Sequence, residues 1–265
     1  MIEQPLIFTQ HIDIAATRKS YKDFGDKILI TSIFRTIQSE GPLAGHPAIF
    51  VRTAGCNFGK KDHQCTWCDT SFQFDKGTLY TPEELLDAVK ALTGYNIYDV
   101  LVITGGEPTL QHNLLPFIQM AHPFFDAVQI ETNGTQPSFF HNFDAHTKVV
   151  VSPKASNKAH RYPELSDIVL QNATCLKFVV TSDWEDPQHE VPEWAFAACD
   201  KLDTPIYVSP MAVYKRAYAG EVSSAWDATL VDQEATARNY AYAAAYAMEN
   251  NCLLSIQGHL FTAIA

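Results

Sequence analysis

Three of the chain's six cysteines lie within thirteen residues, in the segment Cys56-Asn-Phe-Gly-Lys-Lys-Asp-His-Gln-Cys65-Thr-Trp-Cys68-Asp-Thr70. The segment is polar and directly follows the apolar run Ala48-Ile-Phe-Val51, so a strand ending there carries its thiols to the mouth of a sheet. Two metal chemistries fit this set. A structural zinc ion wants four ligands and would draw the fourth from another Cys or a His, and His63 lies inside the loop. An iron–sulfur cluster usually takes four cysteines, so three leave one iron open to a small molecule. Cys175, Cys199 and Cys252 stand far away in apolar surroundings and are expected to be buried small hydrophobes.

Further polar groups recur where apolar runs end. Gly105-Gly-Glu-Pro108 follows Asp99-Val-Leu-Val-Ile-Thr104, Glu131-Thr-Asn-Gly134 closes the run from Asp126, Ser152-Pro-Lys154 follows Lys148-Val-Val-Val151, and Ser209-Pro210 ends the run from Ile206. A glycine pair serves a ligand's close approach and a tight strand–helix turn equally well. Taken singly, Glu131 and Asn133 are turn formers more often than ligands, and a lone Lys154 would ordinarily be solvated.

The elements that must position these groups alternate. Strands are expected at Ile28–Phe34, Pro47–Thr53, Asp99–Thr104, Asp126–Glu131, Lys148–Ser152, Leu176–Thr181, Ile206–Ser209 and Leu253–Gln257. Asp99–Thr104 is continuously apolar, as in a strand buried on both faces of a parallel sheet. Thr81-Pro-Glu-Glu84 opens a helix with Thr81 as N-cap, Pro82 at the first position and Glu84 closing a capping box; Leu85, Leu86, Val89 and Leu92 form its apolar stripe and Gly94 ends it. Helices are also expected over Leu110–His122 and, rich in Ala and Tyr, about Gln233–Asn250. Strand and helix in alternation, with polar strand ends, is the rhythm of a (β/α) barrel, and about six units rather than eight predict a partial one. Residues 1–27 show no sustained period and are read as an extension. Residues 28–265 carry no linker, so the chain is expected to be a single domain, 1–265.

Composition narrows the class. Apolar residues make up 46% and charged residues 18%, as in ordinary globular enzymes. Nineteen Lys and Arg against thirty Asp and Glu give a formal charge of −11, which argues against a protein that grips nucleic acid backbones. No apolar run approaches a membrane span and the first residues lack a signal pattern, so a cytoplasmic protein is expected, where clustered thiols mean metal or catalysis.

The chain resembles the radical S-adenosylmethionine (SAM) enzymes. The cysteine loop follows the first barrel strand with Trp67 between its last two thiols, Gly105-Gly106-Glu107-Pro108 follows the second strand, and Glu131-Thr-Asn-Gly134 the third. Within them it is most similar to the 7-carboxy-7-deazaguanine synthases, through Thr36-Ile-Gln-Ser-Glu-Gly41, Phe50-Val-Arg-Thr-Ala-Gly-Cys56, Cys68-Asp-Thr70, Thr104–Pro108, Ser152-Pro-Lys154, Lys177-Phe-Val-Val180 and Gln257-Gly-His259. It departs from the superfamily's CxxxCxxC in having eight residues between Cys56 and Cys65, in a loop this family varies; Lys60, Lys61 and His63 are read as solvent-facing.

The resemblance implies an α/β fold, a partial (β/α)6-type parallel barrel of the radical SAM kind with an N-terminal extension and the cluster loop at 56–70. It implies a [4Fe–4S] cluster on Cys56, Cys65 and Cys68, with SAM at the open iron. The SAM contacts it implies are Trp67, Gly105, Gly106, Glu107, Glu131, Asn133, Ser152, Pro153, Lys154, Ser209 and Pro210. The implied substrate is 6-carboxy-5,6,7,8-tetrahydropterin, contacted by Ile37, Gln38, Ser39, Glu40, Arg52, Thr104, His259 and the terminal Ala265. Arg52 would meet its carboxylate, since a guanidinium fork fits two oxygens; without the family, Arg52 reads equally as a paired structural ion. Thr70 would bind Mg2+, with Asp69 beside it. The implied reaction is a carbon–nitrogen lyase step, a radical ring contraction to 7-carboxy-7-deazaguanine with loss of ammonia. A flavodoxin- or ferredoxin-type electron donor and a homodimer are implied too; helix 238–248 could serve the dimer or simply pack on the barrel. Two other readings remain open here: a glycyl-radical-enzyme activating enzyme, which shares the cluster machinery but leaves Gln38, Glu40 and Arg52 unexplained, and a non-enzymatic zinc- or cluster-binding module, which leaves the glycine motif unexplained.

Overall fold

The computed structural model describes residues 12–13, 24–58, 65, 68, 76–93, 99–143, 146–155, 161–215 and 231–258, with the backbone alone at 12–13, 76 and 142. In chain order the elements are β1 (Ile12–Asp13), β2 (Ile28–Ile37), β3 (Pro47–Thr53), β4 (Lys76–Tyr80), α1 (Pro82–Lys90), β5 (Val100–Gly105), α2 (Leu114–Ala121), β6 (Val128–Thr132), β7 (Thr147–Val151), α3 (Asp167–Asn172), β8 (Cys175–Val180), α4 (Glu193–Leu202), β9 (Ile206–Pro210), α5 (Gln233–Glu249) and β10 (Leu253–Leu254). The strands form one sheet in the order β1-β4-β2-β3-β5-β6-β7-β8-β9-β10. From β3 to β10 every pairing is parallel, while β2 runs antiparallel to both β3 and β4.

Period-2 alternation sorts the strand side chains onto two faces. Ile49, Val51, Leu101, Ile103, Val128, Ile130, Val149, Val151, Leu176, Phe178, Ile206 and Val208 join the main core beneath the helices. The opposite face lines a lumen. Near the strands' amino ends Ala48, Val100 and Val102 pack with Leu43, Phe50 and Ala127 and close it with apolar side chains. Toward the carboxyl ends the same face turns polar, with Arg52 and Thr104 paired in register, and Glu131, Val150 and Cys175 continuing the row.

The sheet curls, and a turn rather than a strand pairing bridges its open side. After β2 the chain makes a 3-10 turn at Gly41–Leu43, where Gly41 has φ +70 and a Cβ would stand 3.3 Å from Val150. The Gly41 amide donates to Ser255 Oγ at 3.4 Å, beyond β10, and Ser39 packs against Gly258. The β2–β3 turn thus crosses the lumen to reach the far edge.

Helix α1 has the anticipated capping box: Glu84 N donates to Thr81 Oγ1 at 3.2 Å and Thr81 N to Glu84 Oε2 at 2.8 Å. Its stripe of Leu85, Leu86 and Val89 is buried, but the helix ends at Lys90, before Gly94, which lies outside the described residues. The helix expected over Leu110–His122 is split into a 3-10 turn, Pro108–Leu110, and α2. The break follows from Gln111, whose buried amide turns inward to accept from Leu29 N at 3.3 Å and donate to Ala54 O at 2.9 Å. The last strand is shorter than expected, because only Leu253 and Leu254 pair with β9. Strand β4 and helices α3 and α4 are elements the sequence reading did not identify. Cys175 and Cys199 are buried as anticipated, whereas Cys252, just before β10, is only half-buried. Among the described residues no helix is long and apolar enough to cross a membrane.

Candidate functional site

Strand β3 ends at Thr53, and the turn Ala54-Gly55-Cys56-Asn57 carries the first thiol up from the carboxyl end of the sheet. Strand β5 ends alongside, and its glycines let the two backbones touch. Gly106 N donates to Thr53 O at 3.0 Å and Glu107 N to Gly55 O at 2.7 Å. A Cβ on Gly106 would lie 1.9 Å from Gly55 O, and one on Gly105, at φ +120, would lie 2.3 Å from Thr53 O. Both glycines are therefore demanded by packing against the cysteine turn.

Glu107 is the hub of these strand ends. Its Oε1 accepts from Thr109 N at 3.1 Å, Thr109 Oγ1 at 2.5 Å and Thr132 Oγ1 at 2.6 Å, and its Oε2 from Asn133 N at 2.7 Å. Burial pushes this carboxyl above the usual range, opposed by the same hydrogen bonds. Besides the ligand amino group expected of Glu107 from the sequence, its oxygens join the ends of β5 and β6. Asn133 continues the join with its side chain, donating to Asn57 Oδ1 at 2.9 Å and accepting from Thr135 N at 3.0 Å and Thr135 Oγ1 at 2.6 Å, while Asn57 Nδ2 donates to Thr135 Oγ1 at 2.7 Å. Asn57 and Thr132 escaped the sequence reading because a buried hydrogen-bond partner in a distant turn has no local signature.

The three thiols come together above this platform. All three are half-buried, and Cys68 N donates to Cys65 O at 3.1 Å. Burial pushes the Cys56 thiol up to about 12, with Glu107, Cys65 and Cys68 adding to the rise. Cys65 is raised by burial too, against the pull of nearby Lys154. Lys154, held below its ordinary value by burial with Cys65 opposing, donates to Ser152 Oγ at 2.8 Å. Among the described residues no three His, Cys, Asp or Glu side chains gather tightly enough to hold one metal ion. A cluster, which gives each thiolate its own iron, does not require that convergence, and three soft donors beside a cation fit it. Ser152, Pro153, Ser209 and Pro210 are buried at the carboxyl ends of β7 and β9.

The lumen below holds most of the remaining candidates. Glu131 accepts from Gln38 Nε2 at 3.0 Å, Gln129 Nε2 at 3.1 Å and Thr104 Oγ1 at 3.0 Å. Gln38 Oε1 in turn accepts from Glu40 N at 3.1 Å, and Lys177 on β8 forms a salt bridge to Glu40. Arg52 is buried with its guanidinium 5.3 Å from the Phe34 ring centre. Ser39 is half-buried against Gly258, whereas Ile37 at the end of β2 is exposed. Gln129 and Lys177 are the lumen residues for which the sequence reading had no role. Their signal was a polar residue at every second position in Val128-Gln-Ile-Glu131 and Cys175-Leu-Lys177. Trp67, Asp69, Thr70, Lys60, Lys61, His63, His259 and Ala265 lie outside the described residues.

Comparison with known proteins bears on this arrangement. Residues 50–161, from β3 past Lys154, match the radical SAM superfamily. A 7-carboxy-7-deazaguanine synthase of Rickettsia prowazekii is 30% identical over 247 residues, covering 91% of this chain and 90% of its own. One from Rhodospirillum rubrum is 34% identical over 168 residues, 63% of this chain and 65% of its own. The crystal structure of QueE from Escherichia coli shares the fold, with a TM-score of 0.57 at 23% identity over 91% of this chain and 99% of that one. Matched along nearly its whole length by a relative at this identity, the chain belongs to the 7-carboxy-7-deazaguanine synthase family of radical SAM enzymes.

Proposed function

We propose that the protein is a 7-carboxy-7-deazaguanine synthase that contracts the ring of 6-carboxy-5,6,7,8-tetrahydropterin and releases ammonia. The observation that carries this reading is the Glu131 carboxylate, which ties Gln38 of the β2–β3 turn and Thr104 of β5 into one polar layer in the lumen. A flat bicycle with N–H donors and carbonyl acceptors suits such a layer, and Arg52 supplies a planar cation for its carboxylate.

Cys56, Cys65 and Cys68 would hold the [4Fe–4S] cluster. Cluster and SAM, when bound, supply a 5′-deoxyadenosyl radical for hydrogen abstraction. The protein's own part is placement and exclusion, since such a radical attacks almost any C–H bond. Gly105, Gly106 and Glu107 build the wall against which the cysteine turn rests; Asn133, Ser152, Pro153, Lys154, Ser209 and Pro210 line the strand ends where SAM would lie, with Trp67 from the loop. Glu131 stands between the SAM level and the substrate level. Gln38, Ser39 and Glu40 face the pterin edge, Ile37 flanks them, and His259 and Ala265 complete the substrate contacts. Thr70 binds Mg2+. A flavodoxin- or ferredoxin-type donor delivers the electron, and the chain works as a cytoplasmic homodimer, each subunit a single domain, 1–265, in which 1–27 is an extension of the partial barrel 28–265.

The test is an anaerobic assay of the reconstituted protein with SAM, reductant and the carboxytetrahydropterin, run with and without Mg2+. Product whose rate rises with Mg2+ is expected. An intact cluster that cleaves SAM but forms no deazaguanine overturns the reading.

A further inference from the structure

Lys177 occupies a place the proposed chemistry does not otherwise use. It sits on the lumen face of β8, buried to 9% exposure, and its ammonium is paired with Glu40 across the open side of the curled sheet. Its side chain and that of Glu40 are only 11% and 14% accessible. A lysine so placed is costly unless charge compensates it, and here two carboxylates do. Burial lowers its proton affinity, but Glu40 and then Glu131 outweigh that and hold it above the ordinary lysine value. Around the pair stand Cys175 on the same strand, Lys154 beyond β7 and Tyr240 of α5, whose hydroxyl senses Glu40.

The two carboxylates are compensated differently. Glu131 is already held by Gln38, Gln129 and Thr104, all neutral donors. Glu40 has the cation, and its backbone amide is fixed by Gln38 Oε1. Without Lys177, Glu40 would be a carboxylate largely out of water with no cation beside it, an environment that favours its protonated form. A protonated Glu40 would present a hydroxyl donor where a ligand's N–H needs an acceptor.

We propose that Lys177 is a positioning residue of the substrate pocket: it keeps Glu40 an anion aimed into the lumen, and so sets the pocket's preference for a ring edge that bears N–H donors. This rests on the pterin reading above. A plain structural brace across the open barrel would predict loss of stability alone; a positioning role predicts a pH-dependent loss of substrate affinity.

The experiment uses anaerobically reconstituted enzyme with SAM and 6-carboxytetrahydropterin, reading KM and kcat separately at pH 7, 8 and 9 for wild type, K177M, K177R and E40Q. Each variant is first checked for cluster absorbance and SAM binding. Wild type and K177R should show a KM that is flat with pH. K177M should raise KM by about tenfold or more at pH 7 and recover toward wild type as pH rises to 9 and Glu40 regains its charge. E40Q, with no proton to lose, should keep a high KM throughout. A K177M profile that is flat, whether at the wild-type level or above it, overturns the proposal, as does a K177R that cannot hold the cluster, since that makes the pair a brace. Should K177M not fold, K177Q takes its place with the same expectation. Wild type that cleaves SAM yet never converts the pterin overturns the function itself, a result distinct from a flat K177M beside an active wild type.

Discussion

Glu107 Oε1 accepts from Thr132 Oγ1 at 2.6 Å, a bond between the ends of two neighbouring parallel strands, while the Glu107 backbone amide donates to Gly55 at the base of the cysteine turn. One residue therefore fastens three turns at strand ends, those after β3, β5 and β6. The thiols, the glycine pair and Asn133 keep their mutual positions because they hang from this fastening.

Replacing Glu107 with Gln should loosen all three turns. The amide nitrogen cannot accept from Asn133 N or the threonine hydroxyls, so at least one buried donor loses its partner at a cost of about 1–3 kcal/mol. The denaturation midpoint is expected to fall and the affinity for SAM to drop with it, both measurable on reconstituted protein. A Gln variant with wild-type midpoint and affinity would show that the hub is redundant.

Gly106→Ala should be far more damaging than its one added methyl suggests. The new Cβ would meet Gly55 O at 1.9 Å, and backbone on both sides must move. Gly45→Ala is the comparison: nothing lies within 4 Å of its Cβ, so only the φ of +93 is unfavourable, at roughly 1–2 kcal/mol. Iron content after reconstitution should be normal in G45A and severely reduced in G106A.

Among the cysteines, Cys65→Ala should abolish the brown cluster absorbance and SAM cleavage. Cys199→Ala, on the helix side of the sheet and 7% exposed, should keep both and lose only about 1 kcal/mol of packing. Iron analysis and thermal denaturation separate the two effects; retention of cluster by C65A would refute its role as a ligand.

The Lys177 pair also has a signature in stability. Because folding raises the proton affinity of Lys177, its contribution is fully present below the ordinary lysine value of 10.5 and is lost as pH climbs past it toward the folded value. The difference in denaturation midpoint between wild type and K177M should widen from pH 7 to 9, as Glu40 of the variant ionises without a cation, and shrink above about 10 as Lys177 of the wild type loses its proton.

Arg52→Lys should raise KM for the carboxytetrahydropterin by about tenfold or more with a smaller effect on kcat, since an ammonium cannot match a carboxylate with two parallel hydrogen bonds. The same substitution should leave SAM affinity near wild type. Equal losses for both ligands would place Arg52 outside the pterin site.

Much of this molecule is written locally. The capping box of Thr81 and Glu84, the apolar run of β5 and the polar endings of the strands depend on residues within a few positions of each other, and period-2 alternation already separates Ile49 and Val51 from Phe50 and Arg52. The order of Cys56, Gly105-Gly106-Glu107 and Glu131-Thr-Asn-Gly134 pointed to the chemistry through its resemblance to the radical SAM enzymes, and parallel strands bring those strand ends to one rim. Tertiary structure decided what local pattern cannot express. Gln111 broke a helix that periodicity favoured, because its amide satisfies Leu29 and Ala54, distant in the chain. Glu107 was given a structural part as well by Thr132 and Asn133, and Lys177 was paired with Glu40 across 137 positions, since the β2–β3 turn crosses the lumen. A buried polar group is satisfied by whichever partner the curled sheet brings to it, and that partner is a property of the fold.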